Sequence, residues 1–495
     1  MADVAFLALD LGTSELKAGL VSADGQVLAE RSTAYATDFD AATGRAEQDP
    51  EAWWTAIVEA VRGMVAATGQ PAGRRSATRA WPAGRATVAA ICVVGQGPTL
   101  VAADADGAPT RPAITWLDTR PTADRVALEA ATGVSGWGLG VAPAARLVER
   151  MEPAVAARTR WYLDSWDWVS LRLAGRAGAS RARGQAWPDP GAVAAAGVGA
   201  GRLPERVPTG TVLGTLRPDA ADALGLPPGI PVVAGCVDAY AAFFGAGLEA
   251  PGDAIDTGGT SGGLAVYWDA PVEVPGTFAI EAPLPGRWLY GGAMSATGRA
   301  LDWLADAVLR VDAATLEAEA AAVPAGSDGL VFLPYLAGER SPIWDPLARG
   351  VFAGLTVGHG RGHLARAVLE AAALALRHVA TPIEAAGIEL HELRVSGGTA
   401  RSALWNRIKA DVLQVPVAVP SVVDTAMVGA AVIAAAGTGA SPDLASAMRA
   451  IVHLRERIAP DRSAAAAYDA AFDRYRALYP ALRPVLHALH EPGGS

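Results

Sequence analysis

Along this chain apolar and polar positions alternate in two different periods, and the changes of period mark its elements. VAFLALD (4–10) is apolar up to Asp10, turns through Gly12, Thr13 and Ser14, and resumes as LKAGLVSADGQVLAER, predicting hairpin strands with Asp24-Gly25 as the next turn. The period then becomes helical. In EQDPEAWWTAIVEAVRGMVAA, Asp49 suits the N-cap and Pro50 the first turn, while Trp53, Ile57, Val58, Val61 and Val65 recur on one face. Residues 69–87 carry Gly, Pro and Arg without period and predict a surface loop, after which VAAICVVGQG reads as a buried strand. RWYLDSWDWVSLRLAG (160–175) reads as a helix with an aromatic face, and IPVVAGCVDAYAAFFGAG (230–247) as a strand running into a helix near Asp238. GLEAPGD breaks the pattern, which places a domain boundary between 1–247 and 248–495.

After that break the pattern repeats. DAIDTGGTSGGLAVYWDAP (253–271) again has an apolar run ending on an acid, Asp256, then Gly259, Thr260 and Ser261, then a second apolar run. Helices are expected at 298–309, 363–387 and 425–437, strands at 329–336 and from 392, and an amphipathic C-terminal helix around YDAAFDRYRALYPAL. Strands alternating with helices predict an α/β fold, and two halves opening on the same hairpin predict a duplication around a cleft.

Composition narrows the partners. Of the 495 residues 51% are apolar and 19% charged, as in a compact protein. A formal net charge of -10 argues against nucleic acid, whose binders present a basic face. The first residues lack a basic region ahead of their short apolar stretch, and no apolar run reaches the length of a membrane span, so a cytoplasmic protein with no membrane partner is expected. Cys92 and Cys236 sit in apolar strand-like runs and read as small buried hydrophobes.

The Gly-Thr-Ser turns carry the chemistry. A glycine turn presents backbone N–H groups that bind phosphate oxygens, Thr and Ser add donors, and an acid at the strand end can serve Mg²⁺ directly or through water. A single such turn is also simply a good hairpin; two in equivalent places suggest a clasp for a polyphosphate. No Walker motif occurs, and the only lysines are Lys17 and Lys409, so phosphate must be neutralised mainly by metal, backbone dipoles and Lys17.

Taken in order, LDLGTSELK, EQDPEAWW, ITWLDTR, GCVDAYAAFFGAG, IDTGGTSG, GRALDWL, LPYLAGERSP, GVFAGLTVGHGRGHLARAVLE and VSGGTARS make the chain resemble the FGGY carbohydrate kinases, closest to their xylulokinase branch. The resemblance implies two actin-like, ribonuclease H-like domains with mixed sheets flanked by helices and an active-site cleft between them. It implies an ATP-dependent phosphotransferase acting on a small sugar or polyol, with a homodimer an open option. Asp238 is then the catalytic acceptor of the hydroxyl proton. Asp10 serves Mg²⁺; Gly12, Thr13, Ser14, Lys17, Gly259, Thr260 and Ser261 bind phosphates; Gly298, Asp302, Gly397, Gly398 and Ser402 line the nucleotide pocket. The sugar falls to Gln96, Gly97 and Pro98, with Trp116, Asp118 and Arg120 either lining it or serving as core and ion pair. Two positions depart from the xylulokinase pattern: Pro98 and Ala239 stand where that branch usually has His and Asn, removing two hydroxyl-binding groups. D-Xylulose is therefore one candidate beside other ketoses and alditols, and a non-catalytic actin-like nucleotide binder is the alternative of another class.

Overall fold

The structure, a computed structural model, describes residues 3–66, 86–134, 136–181, 189–199, 201–259, 262–295 and 297–489. The chain forms two compact units, Met1–Gly247 with Thr425–Val452, and Leu248–Asp424 with His453–Ser495.

In the first unit, β1 (Asp3–Leu11), β2 (Glu15–Ser22), β3 (Val27–Ala34), β4 (Ala86–Gly95), β5 (Val212–Thr215) and β6 (Pro231–Val233) form one sheet in the order β5-β6-β4-β1-β2-β3. β1 pairs antiparallel with β2 and parallel with β4, and β4 is parallel to β6. The second unit repeats this plan with β7 (Asp253–Asp256), β8 (Gly262–Trp268), β9 (Phe278–Glu281), β10 (Trp288–Met294), β11 (Glu392–Val395), β12 (Val417–Pro420) and β13 (Leu454–Ile458), in the order β13-β12-β11-β7-β8-β10-β9. Reading inward from β5 or from β13, both sheets go antiparallel, parallel, parallel, antiparallel, antiparallel, and the second adds β9 at its edge. The duplicated hairpin thus opens two actin-like sheets of the same topology.

Helices cover the sheets. In the first unit α1 (Pro50–Ala66) buries Trp53, Ile57, Val61 and Met64 in a core with Leu7, Leu9, Ile91 and Trp168. Ser165–Ala174 forms α2, but the predicted helix from 160 starts late: Trp161–Leu163 is a strand paired with Val101–Ala103. Its aromatic residues favour the extended state, which lets them pack on a pleated surface. α3 (Asp238–Ala246) packs on α7 (Thr425–Gly437), and glycine makes their approach possible. A Cβ on Gly245 would sit 1.8 Å from Thr425 O, and one on Gly429 1.9 Å from Ala241 O.

In the second unit, the helix expected over 298–309 is α4 (Gly298–Asp302) followed by a wider π turn over Trp303–Leu309, where Trp303 stacks on Phe332. The strand expected over 329–336 is shortened to Val331–Leu333, because Pro334 has no N–H to extend the pairing. α5 (Arg361–Ala385) and α6 (Ala403–Leu413) pack against each other. The C-terminal α8 (Ala465–Ala488) buries Tyr468, Phe472, Tyr475 and Tyr479 on the same core. The loop expected at 69–87 lies outside the described residues up to 85, and 86–87 open β4.

Candidate active site

Three parallel strands of the first unit end side by side. Gln96 N donates to Leu11 O at 2.8 Å and Gly95 N to Cys236 O at 3.2 Å, so the ends of β1 and β4 and the entrance of α3 converge. The carboxyl ends of parallel strands are where open α/β sheets bind ligands.

Asp10, 8% exposed, ends the buried strand β1 opposite Lys17, which lies 3.8 Å from Glu15. The turn between them is closed by Gly12 N donating to Glu15 O at 3.0 Å. Its carbonyls are held inward: Gly12 O accepts the Tyr35 hydroxyl, Thr13 O accepts Gln48 Nε2 at 2.7 Å, and Ser14 O accepts Tyr35 N at 3.1 Å. A trans peptide sets each C=O antiparallel to the next N–H, so the N–H groups of Thr13 and Ser14 turn outward. Ser14 is exposed and Thr13 half-buried.

Asp238 is the first residue of α3 and half-buried. Burial pushes its carboxyl up to about 6, against the pull of Ala239 N, which donates to Oδ1 at 2.7 Å. Tyr35 lies within electrostatic reach of both acids: burial first, then Asp10, Asp238 and Glu15, raises its phenol.

The predicted sugar residues divide. Gln96 is buried and its Nε2 donates to Gln48 Oε1 at 2.7 Å. Beside it Pro98 is half-buried, and a Cβ on Gly97 would stand 2.6 Å from the Trp166 ring, so no side chain fits there. The Trp116 indole donates to Thr13 Oγ1 at 3.1 Å, which ties it to the Gly12–Ser14 turn. Asp118 and Arg120 form an ion pair of 2.6 Å; Asp118 also accepts Ala46 N at 2.9 Å, and Arg120 also reaches Glu47. The ion pair expected of Asp118 and Arg120 is thus present.

In the second unit Asp256 ends β7, and Thr257 N donates to Gly263 O at 3.1 Å across the hairpin. Thr260 and Ser261 lie outside the described residues. Gly259 meets the other predicted nucleotide residues: Gly298 N donates to Gly259 O at 3.0 Å, and a Cβ on Gly397 would stand 2.3 Å from Gly258 O. Gly397 has φ 71°, a left-handed backbone suited to glycine, and Gly398 follows in a short helical turn. Ser402 caps α6, its Oγ accepting Trp405 N at 2.9 Å and donating to Glu317. Asp302 lies one turn beyond Gly298 and is exposed, with desolvation and Asp306 raising its carboxyl. Asp256 is buried, and Lys409 Nζ lies 2.6 Å from its Oδ2, so its charge is neutralised in place.

Residues 5–245 match the N-terminal domain of the FGGY family of carbohydrate kinases, and residues 256–438 its C-terminal domain. The chain belongs to this family. It is accordingly a phosphotransferase with an alcohol group as acceptor, in a family of sugar kinases that use ATP, generally with Mg²⁺. Xylulose kinase of Escherichia coli is 30% identical over 97% of this chain and 100% of its own length. Gluconokinase of Bacillus subtilis is 28% identical over 88% and 87%, and glycerol kinase of Gloeobacter violaceus 32% identical over 90% of each. The crystal structure of xylulose kinase from Rhodospirillum rubrum superposes with TM-score 0.80 at 33% identity, covering 98% of this chain and 100% of that one. No helix among the described residues is long and apolar enough to cross a membrane.

Sequence reasoning missed three residues of this FGGY kinase. Tyr35 lies in an aperiodic stretch, Lys409 looks like an ordinary helix lysine, and Glu339 accepts Ser295 N at 2.9 Å and Arg340 N at 2.7 Å, holding the segment that leads into α4. The one available signal was for Lys409, as one of two lysines in an arginine-rich chain.

Proposed function

We propose that this kinase transfers the γ-phosphoryl group of MgATP to a hydroxyl of a ketopentose such as D-xylulose, as a cytoplasmic enzyme of xylose metabolism. The observation that carries the reading is Asp238, a half-buried carboxylate at a strand end whose proton affinity is raised to about 6. A group with that affinity is ionised at neutral pH and basic enough to take a hydroxyl proton as the bond to phosphorus forms. Gln96, Gly97 and Pro98 face the acceptor. Gly12, Thr13 and Ser14, through the outward N–H groups of the last two, hold phosphates with Lys17, as do Gly259, Thr260 and Ser261. Gly298, Asp302, Gly397, Gly398 and Ser402 serve the nucleotide.

The donor set fits Mg²⁺. Among the described residues no group of three or more His, Cys, Asp or Glu side chains could hold a metal ion, whereas Asp10 offers a single carboxylate beside the phosphate turn. Mg²⁺ is commonly held in that way, by one or two carboxylates, water and substrate phosphates. When bound, it neutralises charge on the transferred phosphoryl group.

Pro98 and Ala239 favour a second reading, a related kinase for another ketose or an alditol, since neither side chain can hydrogen-bond a sugar hydroxyl. The test measures ADP release with MgATP and a panel of ketopentoses, ketohexoses, C3 to C6 alditols and gluconate. D-Xylulose giving the highest kcat/KM supports the first reading, and a different member doing so supports the second. No acceleration by any member, with ATP still bound, would refute both readings of the acceptor.

A further inference from the structure

The inner side of the first phosphate turn is lined by three side chains from separate segments, and each donates a hydrogen bond to the turn. The Tyr35 hydroxyl donates to Gly12 O, Gln48 Nε2 to Thr13 O at 2.7 Å, and Trp116 Nε1 to Thr13 Oγ1 at 3.1 Å. We infer that Tyr35, Gln48 and Trp116 are positioning residues for the nucleotide phosphates: they occupy the inward acceptors of Gly12–Ser14, leaving donors on its outer face. The inference rests on the reading of this turn as a phosphate site.

The polarity of each contact is fixed by chemistry. An indole N–H can only donate, so the Gln48 oxygen must face Trp53 Nε1, at 3.0 Å, and its amide N–H groups must face Thr13 O and Thr37 Oγ1, each at 2.7 Å. The same Gln48 oxygen accepts Gln96 Nε2 at 2.7 Å, locking the amide from a second side. Gln48 is 2% exposed, so water does not compete for these bonds. Because Trp116 takes a lone pair of Thr13 Oγ1, the proton of that hydroxyl is directed elsewhere, where an anion can accept it. Tyr35 stays a donor because burial and the neighbouring carboxylates Asp10, Asp238 and Glu15 all disfavour the phenolate. A fully ionised phosphate carries only acceptors, so a carbonyl left facing it would repel it. The two bonds to the carbonyls of Gly12 and Thr13 remove that repulsion and turn the N–H groups of Thr13 and Ser14 outward, while the third directs the Thr13 hydroxyl.

The experiment uses the full chain with Tyr35→Phe, Gln48→Met and Trp116→Phe, titrated calorimetrically with ATP plus Mg²⁺ and separately with AMP, without acceptor. Each variant is expected to weaken ATP 5- to 20-fold and AMP less than twofold, and Tyr35→Phe to leave the KM of the best sugar of the panel within twofold. Equal weakening of ATP and AMP, unchanged ATP, or an effect of Trp116→Phe confined to the sugar KM would overturn the inference. Trp53→Phe removes a buried bond one step from the turn. It should lower the melting temperature and keep ATP affinity within twofold, and a loss matching that of Gln48→Met would show general loosening and also overturn it. Should Gln48→Met fail to fold, Tyr35→Phe, which deletes a single hydroxyl, decides alone. Ser14→Asp separates the two layers of argument, because a carboxylate on the turn abolishes ATP affinity if phosphate lies there. Wild-type affinity in Ser14→Asp would sink the phosphate reading itself; its loss, beside intact ATP affinity in the three conservative variants, would sink the positioning inference alone.

Discussion

Replacing Asp238 by Asn keeps the shape of the α3 entrance, and its Oδ1 can still accept Ala239 N, but it removes the carboxylate proposed to accept the proton. Turnover is expected to fall at least a hundredfold, the low end of what a positioned base contributes. The same change should stabilise the fold in a pH-dependent way. In the unfolded chain the carboxyl titrates at 3.8 and in the fold at about 6. The difference corresponds to about 3 kcal/mol against the ionised form, reduced to about 1–2 kcal/mol because the side chain is only half-buried and partly screened. The folded state holds this proton more tightly than the unfolded one. The group's contribution is therefore full below about pH 4, is lost as pH rises towards 6, and is flat above. Asparagine never ionises, so the variant should match the wild type near pH 4 and melt a few degrees higher at pH 8. Wild-type kcat/KM should meanwhile fall about tenfold per pH unit below about 6, as a single required base protonates. Calorimetric melting from pH 4.5 to 8 and steady-state rates with the best acceptor read both effects. Turnover above a tenth of wild type would refute the catalytic role, and a stability gain independent of pH would refute the electrostatic argument.

Lys409→Met leaves the Asp256 carboxylate buried without its partner at 2.6 Å and should cost about 3–5 kcal/mol in urea denaturation, with Asp256→Asn added to it restoring most of the loss. Arg120→Ala breaks contacts to Asp118 and Glu47 and is expected to lower stability by about 2–4 kcal/mol while the acceptor KM moves less than threefold; a large KM effect would return Arg120 to the sugar site. Desolvation pushes Glu339 from 4.5 up to about 7 in the fold, so its contribution is lost as pH rises through 7. Glu339→Gln keeps an acceptor for Ser295 N and Arg340 N and should equal the wild type in stability at pH 5 and exceed it at pH 8, measured by thermal melting.

How much could be read in advance depended on how far away each residue's partner lies in the chain. The hairpins at Asp10 and Asp256 were legible because strand, turn and strand are neighbours in sequence, and their recurrence pointed to the two sheets of matching order. Asp238 was legible because a buried strand delivers it directly to a helix start. The helix over Thr425–Gly437 was legible as an element, but its place in the first unit was not. Its small residues announce close packing without saying that Gly245 supplies the other surface. Tyr35 escaped for a related reason: a side chain bonded to the carbonyl of a turn leaves no periodic trace. The sharpest case is the repeat itself. Both copies place an acid at a strand end before a glycine turn, and local sequence gives them the same chemistry. In the fold Asp256 is matched by the buried ammonium of Lys409 at 2.6 Å, whereas the lysine opposite Asp10 is Lys17, a third exposed and also near Glu15. The neutralising charge on Asp256 comes from Lys409 on α6, far along the chain, where no local pattern announces it. A buried carboxylate already paired with an ammonium, as Asp256 is, has little attraction left for a further cation.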